Sequence, residues 1–201
     1  MFPFWYGSVA EAIYLLSAER NSDNVLGAAY APGFMNLNRW EWIPDMIAYD
    51  ANPAHLILST SYYMVQLLAS VRITETLPTS GGDYGPACWV AGKGAAEDSR
   101  IVKAVAYNAT ADVEFEVDFA GLGEGMTGEL TFLTAPMNAS NYVNENYVET
   151  HKEKLTAQGT TFHWQMPPYS IGILEIGDCG GEGGHHGGGG GWKHGGHGWQ
   201  A

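Results

Sequence analysis

The chain alternates without a break at Val113-Glu114-Phe115-Glu116-Val117-Asp118-Phe119, where acidic residues separate the apolar ones. A period of two places the apolar side chains on one face of a β-strand and the carboxylates on the other. The sheet that contains this strand must therefore have one buried face and one face in water.

Short apolar runs separated by Gly, Pro and Asn turns continue on both sides of this stretch, from about Arg72 to Gly177. We expect further strands at Ile73–Leu77, Ala87–Ala91, Ile101–Tyr107, Glu129–Thr134, Thr160–Gln165 and Ser170–Ile176. About seven short antiparallel strands predict an all-β sandwich, jelly-roll-like, over residues 72–177. The glycine-rich stretch 121–125 lies between two predicted strands with no helix after it, so we interpret it as a hairpin turn and not as a dinucleotide loop.

Residues 1–71 have a helical period instead. Ser8-Val9-Ala10-Glu11 matches a capping box, which predicts a helix that begins at Ser8 and turns Val9, Ile13 and Leu16 toward a core. The apolar run Val25–Tyr30, ended by a Pro-Gly turn, predicts a buried strand. Residues 34–55 are aromatic-rich and are expected to be irregular.

A second amphipathic helix is expected to begin at Ser59 or Thr60. Its apolar face would comprise Tyr63, Met64, Leu67, Leu68 and Val71. Helix, strand, loop and helix in this order predict the end of an α/β domain over residues 1–71. The fold class is therefore α+β, with more than one domain.

The last segment, residues 178–201, consists mostly of glycine and histidine. It cannot bury enough side chain to offset its backbone entropy, so we expect it to be disordered. Its histidines could bind copper, nickel or zinc weakly, and a metal-binding or adhesive tail is one hypothesis for the chain. The interpretation that we prefer is a plain flexible tail, and no metal site is assigned.

Charge and motifs exclude several classes of function. Nine Lys and Arg stand against 22 Asp and Glu, and the net charge of −13 argues against nucleic acid and anionic membrane partners. No apolar run is long enough to span a bilayer, and the first residues lack the features of a signal peptide. Common nucleotide, metalloprotease and serine-hydrolase motifs are missing, so no cofactor is expected.

A set of collinear segments between residues 2 and 177 resembles the fungal α-L-arabinofuranosidases of glycoside hydrolase family 51. They are Phe4-Trp5-Tyr6-Gly7-Ser8-Val9-Ala10-Glu11-Ala12, Ala18-Glu19-Arg20-Asn21, Ala29-Tyr30-Ala31-Pro32, Asn36-Leu37-Asn38, Trp42-Ile43-Pro44-Asp45, Ser59-Thr60-Ser61-Tyr62-Tyr63, Thr74-Glu75-Thr76-Leu77-Pro78 and Trp89-Val90-Ala91-Gly92. No single segment identifies the family, but the set is specific.

The resemblance implies a (β/α)8 catalytic barrel followed by a jelly-roll-like β-sandwich, with the last barrel elements at residues 1–71. It also implies a secreted enzyme that removes terminal α-L-arabinofuranosyl groups from arabinose-containing polysaccharides with retention of configuration. Retention needs two carboxyl groups about 5–5.5 Å apart. In the family both glutamates precede the segment that resembles residues 2–12, so we expect no catalytic residue here and a truncated gene model, a fragment or a decayed copy.

The carboxylates within this chain have structural interpretations. We expect Glu11 to cap a helix, Glu19 to occupy an exposed helix position beside Arg20, and Glu75 to lie in a strand between threonines. Glu41 and Asp45 lie in the aromatic loop and are harder to assign, although no second carboxylate can be placed opposite them.

The loop Phe34–Trp42 is the best candidate for a sugar site, because it would follow a barrel strand, where active-site loops gather. Asn36, Trp40 and Trp42 offer an amide and two aromatic faces to a sugar. The alternative is that these aromatic side chains merely cover the mouth of the barrel. In the family a glutamine often contacts arabinose where Met35 falls, and a thioether cannot replace its donor and acceptor.

A different class of function is a carbohydrate-binding β-sandwich without hydrolase activity, which would use exposed aromatic side chains such as Trp89, Tyr107 or Trp164. Alternation, however, places Trp164 on one face with Phe162 and Met166, which predicts a core position.

Three smaller features complete the sequence. Asn108-Ala109-Thr110 and Asn138-Ala139-Ser140 are N-glycosylation sequons, with Asn108 and Asn138 as acceptors in a secretory pathway. Cys88 and Cys179 could form a single bridge, but two isolated thiols do not make a disulfide framework. We interpret His151 and His163 as surface or strand residues.

Overall fold

A six-stranded antiparallel sheet forms the centre of the fold in a computed structural model that describes residues 3–39, 41–80, 82 and 84–177. Its strand order is β4-β5-β6-β11-β8-β9. These strands are β4 (Glu75–Thr76), β5 (Ala87–Lys93), β6 (Arg100–Ala106), β8 (Thr127–Thr134), β9 (Glu149–Thr156) and β11 (Ser170–Ile176). Every neighbouring pair is antiparallel, as the sequence predicts.

A two-stranded sheet covers part of one face of this sheet. It pairs β7 (Val113–Asp118) with β10 (Thr161–Met166) in antiparallel register, and Phe115 lies opposite Trp164 with their rings stacked 5.0 Å apart. In β7 the apolar residues are half-buried and the acidic ones are exposed. The predicted sandwich is confirmed, and Phe162, Trp164 and Met166 lie together in its core.

The other face of the six-stranded sheet packs against two helices, α1 (Trp5–Arg20) and α2 (Thr60–Ser70). The predicted apolar faces are correct in their main members, because Val9, Leu16, Met64 and Leu68 are buried there. These side chains pack with residues of β5, β6 and β11 in one core. The helices and the sheet therefore form continuous layers.

The capping box at Ser8 is wrong, because α1 begins earlier, at Trp5, and has no side-chain cap. Its first backbone N–H groups donate to a distant turn instead: that of Trp5 to the carbonyl of Ala139 at 2.9 Å, and that of Tyr6 to the carbonyl of Met137 at 3.0 Å. A short-range motif was outweighed by acceptors from elsewhere in the chain. For α2 the prediction is confirmed, since Ser59 accepts a hydrogen bond from the Tyr62 N–H at 3.2 Å.

The predicted strand at Val25–Tyr30 is also wrong. The segment has no strand partner among the described residues, and Leu26 is fully exposed. The small sheet at this end comprises β1 (Phe34–Asn36), β2 (Ile47–Tyr49) and β3 (Ile57–Leu58), with β1 parallel to β2. Residues 34–55, expected to be irregular, thus contain two strands and a short 3-10 helix, Pro53–His55.

Two features of the sandwich differ from expectation. Strand β9 was not predicted, because it is a charged edge strand in which Leu155 is the one buried residue. Residues 121–125 do not form a hairpin, since β7 and β8 belong to different sheets and the turn crosses between them.

Candidate functional site

Asn36, one of the predicted sugar-contact residues, is the last residue of β1, at the edge of the small sheet. Asn36 is exposed, and Trp42 keeps 69% of its surface in solvent. Phe34 and Tyr49, from neighbouring strands, meet edge to face with ring centroids 6.4 Å apart. Trp40 lies outside the described residues. The structure thus brings the Asn36 amide and two exposed aromatic rings, those of Phe34 and Tyr49, together on β1 and β2, while Trp42 is exposed in the loop that follows β1.

The backbone turns sharply after Asn36. Its side-chain oxygen accepts the Asn38 N–H at 2.9 Å, and Asn36 forms a β-bridge with Arg39. The Glu41 carboxylate, which the sequence left without an assigned role, forms an exposed ion pair with Arg39 at 2.8 Å. Glu41 is therefore a surface partner of Arg39.

Met35 points to the opposite face of β1. Its side chain is buried with Ala48 and Ile57 in a small apolar cluster. Because neighbouring residues of a strand face opposite ways, position 35 lies away from the face that carries Phe34 and Asn36. The thioether is part of the packing of the small sheet.

Asp45 is the most unusual side chain of this region. It is only 1% exposed, and neither carboxylate oxygen has a hydrogen-bond partner in the described part of the chain. Burial raises the pKa of this carboxyl. An unsatisfied buried polar group costs roughly 1–3 kcal/mol, so Asp45 carries an electrostatic penalty here.

Tyr30 lies near the carboxyl groups of both Asp45 and Glu11. The Tyr30 hydroxyl is buried without a partner among the described side chains. Burial, and to a smaller extent the charges of Glu11 and Asp45, raises the pKa of Tyr30 to about 12. The Ser61 side chain acts in the opposite direction and lowers this pKa. Tyr30 thus lies near two carboxyl groups, those of Glu11 and Asp45.

Hydroxyl groups join the two helices beside this group. The Ser8 hydroxyl lies 2.8 Å from that of Thr60 and 2.9 Å from that of Ser61, and Ser61 donates to Glu11 at 2.6 Å. Burial raises the pKa of Glu11, which the Ser61 hydrogen bond opposes. Ser8 and Glu11 thus tie α1 to α2, and Glu11 is not a helix cap.

Glu19 also differs from expectation. Its carboxylate accepts a hydrogen bond from the Lys103 ammonium at 2.8 Å, and that ammonium, in a side chain only 4% exposed, also donates to the Leu68 carbonyl. Sequence reasoning missed this pair because its members are far apart in the chain. Glu75 is an exposed strand residue, as predicted, and pairs with Lys93 at 2.9 Å.

The three aromatic side chains considered for carbohydrate binding do not share a surface. Trp164 is buried in the sandwich core, as alternation predicts, and Tyr107 packs against the helix-side core. Trp89 is half-buried and lines a groove beside β7.

The remaining candidate residues lie apart from one another. Asn108 and Asn138 are both exposed, whereas Ser140 of the second sequon is buried. His151 and His163 are strand residues, as predicted. Cys88 is buried and unpaired, and Cys179 and the tail histidines lie outside the described residues.

In the part of the chain that the structure describes, neither a metal site nor a membrane-spanning helix is found. Within residues 3–39, 41–80, 82 and 84–177, no three His, Cys, Asp or Glu side chains converge as metal ligands. No helix in those same ranges has the length and apolar character needed to cross a bilayer.

Comparison with known proteins gives consistent results. The family model described as "Alpha-L-arabinofuranosidase C-terminal domain" matches residues 3–170. A probable α-L-arabinofuranosidase A of Aspergillus oryzae is 38% identical over 176 residues, which cover 86% of this chain and 27% of that protein. α-L-Arabinofuranosidase A of Aspergillus niger is 36% identical over 177 residues, with the same coverage. The chain thus spans about a quarter of the length of these relatives.

Two solved structures extend the comparison. The arabinose-bound structure of the enzyme named MgGH51 α-L-arabinofuranosidase is 26% identical, with a TM-score of 0.76 over 87% of this chain and 28% of that one. The α-L-arabinofuranosidase of Thermotoga maritima, in an arabinose complex, has a TM-score of 0.69 at 18% identity over 87% of this chain and 38% of that one. The second likeness concerns the fold alone.

Proposed function

This chain belongs to the α-L-arabinofuranosidase C-terminal domain family, and on that premise we propose that it is a non-catalytic part of such an enzyme. The complete enzyme would remove terminal α-L-arabinofuranosyl groups from arabinose-containing polysaccharides. The observation that carries this proposal is the match over residues 3–170, which corresponds to about a quarter of each fungal relative.

The carboxylates support a non-catalytic role. Retaining hydrolysis needs two carboxyl groups that face each other across a substrate site. Glu11 is held by Ser61, and Asp45 is buried. Neither residue lines the groove beside β7, and Glu41 and Glu19 are each paired with a basic side chain.

We further propose that residues 1–71 are the last elements of a (β/α)8 barrel, that residues 72–177 are the sandwich domain, and that residues 178–201 are a tail. Nine of the thirteen exposed large apolar side chains of the described residues precede residue 60. They are Tyr6, Tyr14, Val25, Leu26, Phe34, Trp42, Ile43, Tyr49 and Leu56. Large exposed apolar patches mark surfaces that another part of a protein covers.

The polar groups of this region support the same proposal. A neighbouring barrel strand would pair with the extended run 25–30, which in this chain has no partner strand among the described residues. Side chains from the rest of a barrel would also supply donors for Asp45, whose oxygens are unpartnered in the described chain. In the complete enzyme, Asn36, Trp40 and Trp42 would then lie at the barrel mouth and contact the sugar.

We also propose that the enzyme is extracellular and carries N-glycans. The exposed side chains of Asn108 and Asn138 support both sequons as acceptors. Expression in a yeast secretory host, followed by glycosidase treatment and mass spectrometry, tests each site. Recovery of both asparagines without glycan would contradict this part of the proposal.

Hydrolysis by the purified chain tests the main proposal. An aryl α-L-arabinofuranoside should be turned over no faster than by a heat-inactivated sample of the same chain. Turnover above that control would contradict the non-catalytic role. Glu11→Gln and Asp45→Asn would then show whether the carboxyl groups near Tyr30 are responsible, because each removes one charge while changing little volume.

A chimera tests whether this chain can serve as the C-terminal part of an active enzyme. If this chain replaces the corresponding C-terminal quarter of the Aspergillus oryzae relative, the chimera should hydrolyse the same substrate, since the chain would supply the missing sandwich and barrel elements. A chimera that folds cooperatively but has no activity would contradict the proposed role. Trp42→Ala in the active chimera should raise KM if Trp42 contacts the sugar.

A further inference from the structure

A groove of about 730 Å³ lies between the six-stranded sheet and the outer edge of β7. Alternate residues of β5, namely Ala87, Trp89 and Ala91, form its floor together with Val102 of β6. One wall is β7, and the other is the segment 77–80 that precedes β5. The groove exists because two strands cover a sheet of six strands only in part. Its size falls within the roughly 300–1,000 Å³ that is typical of ligand sites.

Trp89 supplies a positioned aromatic surface in this groove. The Trp89 ring packs on the Tyr84 ring, with their centroids 4.7 Å apart. The Arg20 guanidinium in turn packs on the Tyr84 ring, 4.7 Å from its centre. At Gly82, where φ is +73°, a Cβ atom would lie 3.3 Å from the Trp89 ring. The small neighbours Ala87 and Ala91 leave the floor beside the ring open. An aromatic ring that is fixed and flanked by small residues is suited to stack against a flat apolar face.

Charged residues of both signs line the groove. Lys93 and Arg100 face each other across β5 and β6 and both line the groove. Arg100 donates to the carbonyls of Glu97 and Ser99, and it forms no ion pair with a described carboxylate. Glu114, Glu116 and Asp118 line the β7 side. Lys93 is held by Glu75 at 2.9 Å, and the acidic side chains of β7 lie on the solvent-facing side of that strand. The groove therefore combines Arg100 as a donor with carboxylate acceptors at its outer rim, without an excess of positive charge.

This combination favours one class of ligand. Nucleic acids and anionic lipids are disfavoured by the acidic wall and by the net charge of −13. A purely apolar ligand would leave the polar lining unsatisfied. A sugar presents an apolar C–H face to an aromatic ring and hydroxyl groups, which both donate and accept, around its rim. We propose that the groove is a non-catalytic binding site for a neutral oligosaccharide, which stacks on Trp89 and bonds to Lys93, Arg100 and the β7 carboxylates. The site is separate from the hydrolytic site of the complete enzyme and does not depend on the function proposed above.

Calorimetric titration of the complete chain tests this proposal, with neutral arabinoxylo-oligosaccharides and cello-oligosaccharides as probes. We expect saturable heat with at least one probe and at least a tenfold weaker affinity for Trp89→Ala. Tyr14→Ala is the matched control, because it removes an exposed aromatic ring on α1, away from the groove, and should leave the affinity unchanged. Circular dichroism of each variant checks that it is folded.

Arg100→Gln provides a second test if Trp89→Ala does not fold. This change keeps the strand intact, removes the unpaired guanidinium and should weaken binding about threefold to tenfold. Absence of saturable heat with every neutral probe would overturn the proposal. So would a loss of binding in Trp42→Ala but not in Trp89→Ala, which would place the sugar at the end of β1. Tenfold tighter binding of a uronic-acid-bearing oligosaccharide would overturn the assignment of a neutral ligand.

Discussion

The sandwich and the region before residue 60 differ in how far their apolar side chains are buried and their charged side chains are paired. In the sandwich, apolar residues are buried between the sheets, and edge charges such as Glu129 and Lys152 pair at 2.6 Å. The first region contains most of the exposed large apolar side chains of the described residues. Its buried Asp45 carboxyl has no hydrogen-bond partner in the described chain. The sandwich leaves only neutral groups, the Ser140 hydroxyl and the Trp164 indole N–H, buried without a partner in the described chain, whereas the first region leaves a buried carboxyl unpartnered there. The difference supports the proposal that a surface of the first region is completed by another part of the enzyme.

The two regions are nevertheless joined by a shared apolar core and by long-range hydrogen bonds. Trp5 is fully buried between α1 and the sheet, and its indole N–H donates to the carbonyl of Tyr169. Lys103 reaches from β6 to Glu19 of α1 and to the carbonyl of Leu68 in α2. If these contacts couple the regions, the chain should unfold as one unit in spite of its incomplete surface.

Trp5→Ala should have the largest effect, because it removes a buried aromatic side chain and a hydrogen bond at the junction. Such changes cost about 3–5 kcal/mol of unfolding free energy. Urea unfolding, followed both by helix-sensitive circular dichroism and by tryptophan fluorescence, should show one shifted transition. Tyr14→Ala, on the exposed side of α1, should change the free energy by less than about 0.5 kcal/mol. Two separate transitions in the variant would mean that the regions are not coupled.

Glu19→Gln should have the next largest effect. It leaves the buried Lys103 ammonium without its carboxylate while the Leu68 carbonyl remains. Removal of one partner of a fully buried pair costs about 3–5 kcal/mol, and since Glu19 is partly exposed we expect about 2–3 kcal/mol. The double variant Glu19→Leu with Lys103→Met should recover much of this loss, because no unpaired charge remains. A double variant less stable than Glu19→Gln alone would contradict this explanation.

Asp45→Asn should have a smaller effect than these variants, and it should raise the free energy of unfolding where they lower it. Because burial raises the pKa of Asp45, the folded chain binds this proton more tightly than the unfolded chain does. The free energy of unfolding should therefore fall as the pH rises from about 3.9, the ordinary value for aspartic acid, through the raised pKa. Asp45→Asn should remove this fall and make the chain about 1 kcal/mol more stable at neutral pH.

Urea unfolding at a series of pH values measures this effect. Glu11, whose pKa is also raised, contributes a fall of the same sign in both proteins, so the difference between wild type and Asp45→Asn isolates Asp45. Parallel pH profiles for the two proteins would show that Asp45 has no electrostatic penalty. The same substitution in a complete enzyme should instead destabilise it, if donors from the barrel satisfy the carboxylate there.

Elements that depend on local pattern could be predicted from the sequence, and those that depend on distant partners could not. All seven predicted sandwich strands were found with boundaries within two residues, six of them close to their predicted length, because alternation is a property of neighbouring residues. At the seventh, Ile73–Leu77, the structure has only Glu75–Thr76 as a strand. Strand β9 carries charged residues on both faces, so its sequence lacks the alternation of apolar and polar residues that would predict a strand.

The candidate site was predicted less well than the fold. Ser8 and Glu11 resembled a cap, but their partners are Thr60 and Ser61 of the other helix. Glu19 was interpreted as exposed because Lys103 is distant in sequence. The groove at Trp89 arises from the unequal size of the two sheets, and sheet size cannot be deduced from the pattern of a single strand.

Leu26→Ser should have the smallest effect and is the most direct test of the comparison between regions. Leucine to serine in a protein core costs several kcal/mol, but the Leu26 side chain is fully exposed, so the change should alter the unfolding free energy of this chain by less than about 0.5 kcal/mol. Ile173→Ser, in the buried centre of β11, is the control and should cost more than about 2 kcal/mol. A loss above about 1 kcal/mol for Leu26→Ser in urea unfolding would mean that residues 25–30 already pack within the chain. If the loss is small here but large in the chimera with the fungal catalytic part, Leu26 belongs to the surface that the rest of the barrel covers.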